Sequence, residues 1–206
     1  MRRREFITLL GGAALTLPLT VRAQQAERVR RVGVLLALDE KDPETNSRVR
    51  AFRLGMRDLG WIEGRNVQIE YRFAGTNLES INKHVAELIK LAPDVIVAHS
   101  SAVVTALRPA TSTIPIVVAM AVDPVGQGFI SNLAHPGGNI TGFSFIDPEI
   151  IGKWINLLSD VKPNLSRVAL MFNPDTAPFW DSYYRSLKTA PRRTEASDAR
   201  VEHGQC

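Results

Sequence analysis

The sequence predicts an α/β fold, an open doubly wound parallel sheet with helices on both faces. Three observations predict it. Short, nearly continuous apolar runs recur along the chain, as in strands covered on both sides. Between them lie segments whose apolar residues repeat at helical spacing. Asp, Asn or Ser stands where a run gives way to a helix, the residue types that cap free N–H groups. Alternation at this spacing means βαβ units with right-handed crossovers.

The first strand is Arg31 to Leu38 (RVGVLLAL). Asp42-Pro43-Glu44 then supplies a cap, a proline for the first helical turn and an acid for the helix dipole. Val49, Phe52, Met56 and Leu59 form one face of the helix, which stops at Gly60. Val67 to Phe73 alternates as a strand, and Asn77 caps a helix that turns Ile81, Val85, Leu88 and Ile89 inward until Ala92-Pro93. Asp94 to Ala98 is the third strand, with Ser100 and Ser101 capping a short helix that Pro109 is expected to kink or end at Arg108. Ile114 to Ala121 is the fourth strand, and Asp123-Pro124 is expected to open a helix through Phe129 and Leu133. His135 to Asn139 reads as a turn and Ile140 to Phe145 as a fifth strand. After Asp147-Pro148-Glu149, the residues Ile151, Trp154, Ile155 and Leu158 make a helix face, and Arg167 to Phe172 is expected as a sixth strand. From 189 to 206 no period survives, and the stretch is expected to be disordered.

With 45% apolar and 22% charged residues, the chain of 206 has the balance of a globular protein. The formal charge of +4 sits mostly in a leader, where Arg2, Arg3, Arg4 and Arg22 oppose only Glu5. No basic face interleaved with aromatics follows, which argues against nucleic acid as a partner. Residues 1–23 read as a signal peptide with a twin-arginine-like start and cleavage after Ala23, placing the mature protein in the periplasm. A lone Cys206 allows neither an internal disulfide nor a metal cluster.

In open parallel sheets ligands bind beyond the carboxyl ends of the strands. The candidates there are Asp39, His99, Ser100, Ser101, Asp123 and Ser144, with Asn173 and Thr176 after the sixth strand. Such short polar groups beside helix starts suit a small polar ligand, particularly a carboxylate; taken singly, each is also an ordinary cap. No nucleophile elbow, Walker loop or zinc spacing occurs, so no catalytic residue, metal or cofactor is assigned. His84 and His135 are read as surface residues, Trp154 and Phe179-Trp180 as core or hinge packing, and Asn139 as a turn residue.

The wording Trp61-Ile62-Glu63-Gly64-Arg65-Asn66-Val67, Asp123-Pro124-Val125-Gly126, Pro136 to Gly142 and Asn173-Pro174 resembles the substrate-binding component of ABC-type transport systems. The resemblance runs from about Arg31 to Lys188. It implies a type I periplasmic binding protein: two α/β lobes, a solute in the cleft between them, hinge closure and docking onto a membrane permease. Some relatives bind amino acids, aromatic ones included, which would put a carboxylate at the Ser100-Ser101 helix start. Relatives are considerably longer. The expectation is therefore a complete first lobe over 24–146, an incomplete second lobe over 147–188, and transport impaired by truncation. Membrane contact would come only through the permease. An exported α/β enzyme using His99 and Asp123 is the alternative, and a regulator's effector domain a third reading that the export leader opposes.

Overall fold

The computed structural model describes residues 28–165, 167–170, 172 and 177–189. The expected leader at 1–23, the loop at 173–176 and the tail from 190 lie outside the described residues. Five strands form one parallel sheet: β1 (Arg30–Leu36), β2 (Val67–Phe73), β3 (Val95–His99), β4 (Ile116–Val122) and β5 (Ile140–Ile146), in the order β2-β1-β3-β4-β5. Among the described residues five helices accompany them: α1 (Pro43–Asp58), α2 (Leu78–Lys90), α3 (Ser101–Leu107), α4 (Ile150–Val161) and α5 (Trp180–Thr189).

The caps form as the residue types dictate. Asp42 accepts from the Glu44 amide, Asn77 from Ser80 and Ser100 from Val103, each satisfying a donor that the first helical turn leaves free. Both faces of the sheet are covered. Val49, Phe52 and Met56 of α1 pack on Val32, Val34, Leu36, Val67 and Ile69. On the other face Ile81, Val85 and Leu88 of α2 and Val103, Val104 and Leu107 of α3 bury Leu35, Ile96, Ile116 and Val118. That double burial is why the strand sequences are continuously apolar.

Two expected elements are missing among the described residues. Residues 124–131 are a series of turns rather than a helix. Asp123 has φ of 44°, and its Oδ1 accepts from the Gly126 amide at 2.8 Å while Phe129 N bonds back to Pro124 O. The aspartate thus caps a single turn, in which Gln127 N bonds to Asp123 O at 3.0 Å, and Gly128 at φ of +68° ends it before a helix can follow; Leu133 stays exposed. The sixth strand is also absent among the described residues of 167–172, where Leu170 alone makes a β-bridge. The α4 face is narrower than its spacing suggests: Ile151 is buried, whereas Trp154 and Leu158 remain well exposed. His84 is half-buried rather than on the surface, its Nδ1 3.2 Å from Glu87 Oε2.

Phe179 and Trp180 do pack, with Ile155, around a third cluster of Val122, Ile151, Tyr183 and Leu187. Because Val122 and Ile146 end β4 and β5, this cluster places α4 and α5 against the carboxyl margin of the sheet. Gly142 explains part of the Pro136–Gly142 wording. Its φ is +142°, and a Cβ there would lie 2.1 Å from Val118 O, so only glycine lets β5 approach β4 where their register shifts.

Candidate functional site

The chain leaves β1 toward β2 on one side and, after β2, crosses over β1 to β3 on the other. That reversal between β1 and β3 opens a crevice at their carboxyl ends, the place where open α/β sheets hold ligands. In the β1–β3 register Leu36 pairs with His99, so the two strands end level. Asp39 follows β1, Ser100 and Ser101 follow His99 of β3, and Asp123 follows β4. Ser144 lies opposite Ala121 near the end of β5. Six of the eight candidates therefore stand along one margin; Asn173 and Thr176 lie outside the described residues.

Their polar atoms are differently occupied. Asp39 Oδ1 accepts from Lys41 N at 2.8 Å. Ser101 is buried, and its Oγ accepts from Val122 N at 3.2 Å and from Gln127 Nε2 at 3.1 Å, tying α3 to the end of β4. Gln127 Nε2 also reaches Val122 O. Ser100 has φ of 97° and Asp123 of 44°, two of the three non-glycine residues with positive φ among the described residues. Such conformations cost of order 1–3 kcal/mol each and gather at ligand sites.

Arg48 is the member that the sequence pattern does not single out. From α1 its Nη1 donates to His99 Nε2 at 2.6 Å and reaches Met120 Sδ, while Nη2 pairs with Glu44. The available signal was its spacing: Arg48 lies four residues before Phe52 and three after the buried Thr45, on the inward side of α1. A guanidinium only donates, so His99 Nε2 must accept and the ring proton sits on Nδ1. Nδ1 is buried with no hydrogen-bond partner among the described residues. Burial first, and the Arg48 charge second, hold the His99 pKa below the usual imidazole range. Beside the neutral ring, the one-third-exposed guanidinium and its Glu44 partner give the margin a fixed ion pair that solvent reaches.

A cavity of about 470 Å³ adjoins this margin, with Thr105, Arg108 and Gln127 on one side and Asp181, Ser182 and Arg185 of α5 on the other. Among the described residues no three His, Cys, Asp or Glu side chains are grouped to hold a metal ion. The site can hold a small polar molecule by charge and hydrogen bonds. Asp123 is engaged with the Gly126 amide and His99 faces a cation, so neither is placed to activate the other.

A family model for ABC transporter substrate binding proteins matches residues 31–190. A tyrosine-binding protein of Clostridioides difficile is 27% identical over 131 residues, 64% of this chain and 37% of that protein. A conserved domain protein from Vibrio cholerae has a TM-score of 0.65 at 26% identity, over 78% of this chain and 54% of that one. An ABC domain from Streptococcus pneumonia in complex with L-Trp has a TM-score of 0.65 at 19% identity, over 86% of this chain and 57% of that one, a likeness of fold alone. The chain thus spans a little over half of these structures and 37% of the curated relative.

Proposed function

This chain belongs to the ABC transporter substrate binding protein family, and from that premise we propose that its sheet margin receives a small organic solute for delivery to an ABC permease. The solute class we infer is an amino acid, aromatic ones included. The tyrosine-binding relative supports that reading, as does the chemistry of the margin. Asp39, His99, Ser100, Ser101, Asp123 and Ser144 supply the near wall of the site. Asn173 and Thr176 belong to the segment that would close from the second lobe, over 147–188. Residues 24–146 make the first lobe, and the mature protein works in the periplasm.

One observation carries the reading: Arg48, bonded to His99 and ion-paired with the exposed Glu44, holds a preorganised guanidinium at the β1–β3 switch point, where a solute carboxylate would displace Glu44 from it. The family is one of binding proteins, which supports a binding role over a catalytic one. Thermal-shift titration of the full chain with a panel of amino acids tests the proposal. Tyrosine or tryptophan is expected to raise the melting temperature, and Arg48→Ala to abolish the shift. No response to any amino acid, or an unchanged response in Arg48→Ala, would overturn it.

A further inference from the structure

The Trp61–Val67 stretch lies at the amino ends of the strands, away from the solute margin, and the proposed binding role leaves it without a task. The stretch is built rather than loose. Trp61 N bonds to Met56 O at 2.9 Å, Ile62 N to Asn66 Oδ1 at 2.7 Å, and Asn66 Nδ2 to Gly60 O at 2.9 Å. Gly60 and Gly64, at φ of +84° and +81°, make the reversals that this knot of hydrogen bonds requires. Arg53 fastens it to α1, with Nε 3.4 Å from Glu63 Oε2 and the guanidinium 4.9 Å over the Tyr71 ring.

Between this loop and α1 runs a groove of about 490 Å³, bordered by Arg50, Leu54 and Arg57 of the helix and by Trp61 and Ile62. Arg50, Arg53 and Arg57 follow at spacings of three and four, one helix face. Arg53 is spent, but Arg50 and Arg57 are exposed and have no ion pair or side-chain hydrogen bond among the described residues. Leu54 at 44%, Trp61 at 39% and Ile62 at 42% exposure leave apolar surface between the two free cations. Held aromatic and guanidinium groups side by side are the chemistry of interface anchors.

We propose that this groove is a docking site for an acidic protein segment, one that brings carboxylates to Arg50 and Arg57 and an apolar side chain against Trp61. Charge complementarity selects the occupant, because two unpaired guanidiniums bind carboxylates in bidentate fashion and repel a basic segment. The concavity selects a protruding chain over a flat bilayer. The site does not depend on the solute reading, since it shares no residue with the margin.

The test uses the full chain and a fluorescently labelled peptide of repeating Glu and Leu, read by anisotropy, with a Lys-for-Glu peptide as control. The acidic peptide is expected to bind and the basic one not, with affinity falling as salt screens the charges. The double variant Arg50→Glu, Arg57→Glu should weaken binding by about tenfold or more. Trp61→Ala should weaken it by about tenfold. Arg57 stands in the last turn of α1, so the neutral pair Arg50→Gln, Arg57→Gln, which should also weaken binding while keeping the parent melting temperature, separates lost docking from lost fold. Absence of peptide binding, equal binding of both peptides, or undiminished binding by the double variant would overturn the proposal. So would capture by phosphatidylglycerol vesicles, or self-association through the groove, if the acidic peptide is ignored.

Discussion

His99 has one ring nitrogen committed to Arg48 and the other buried with no partner among the described residues, so its protonation state is set by its neighbours rather than by solvent. Removing Arg48 withdraws a positive charge from the ring. In Arg48→Ala the imidazole is therefore expected to titrate at higher pH than in the parent, as followed by the ring proton resonances; an unchanged midpoint would show that burial alone depresses it. Gly142 is the second residue whose identity is forced. Adding a methyl group there drives it into the Val118 backbone in a conformation that side chains rarely adopt. Gly142→Ala should cost about 3 kcal/mol in denaturant unfolding, at the upper end of ordinary point mutations. A similar clash explains Gly126, where a Cβ would sit 1.9 Å from Asp123 Oδ2, inside the turn that the aspartate closes.

Elements were legible in the sequence where local chemistry and burial agree. β2 and the caps at Asp42, Asn77 and Ser100 stand where the pattern puts them. The segment after Asp123 departs from its pattern because the Asp-Pro cap opens only one turn, which Gly128 at φ of +68° ends while Gln127 reaches back to Ser101 and Val122. Likewise the candidate margin was readable from strand ends, but Arg48 was not, since its role comes from a contact between α1 and β3 fifty-one residues apart. Asn139 shows the same limit. It reads as a turn residue, yet its Nδ2 donates to Thr111 O at 3.2 Å and Ile114 O at 2.8 Å, pinning the entry to β4. Asn139→Ala should lower unfolding stability by about 1–3 kcal/mol by leaving those carbonyls short of a donor. Retention of parental stability would mean that water replaces the amide.

At the scale of the molecule, the two margins of the sheet carry separate titrating groups. Asp94 clasps the amino margin: its Oδ2 accepts from Arg31 N at 2.8 Å, and Oδ1 lies 3.2 Å from both Arg28 and Arg30 guanidiniums. The bond from the Arg31 amide, aided by those arginines, holds its pKa below the ordinary carboxylate range. A carboxylate depressed in the fold adds stability above its unfolded pKa of about 4, and that stability is lost as pH falls through the lower folded value. His99 at the carboxyl margin is also depressed, so below about pH 6.5 the unfolded chain takes up a proton that the folded chain refuses. Both effects have the same sign, and acidification should destabilise the protein in two stages. The first stage belongs to His99 and the second to Asp94, with Glu87, held down by its hydrogen bond to His84, adding to the second. Denaturation midpoints measured across pH should show the upper slope vanish in His99→Asn. In Asp94→Asn the lower slope should shrink without disappearing, because Glu87 still titrates. A single slope unaffected by His99→Asn would mean that the carboxyl margin does not contribute to the pH dependence of folding.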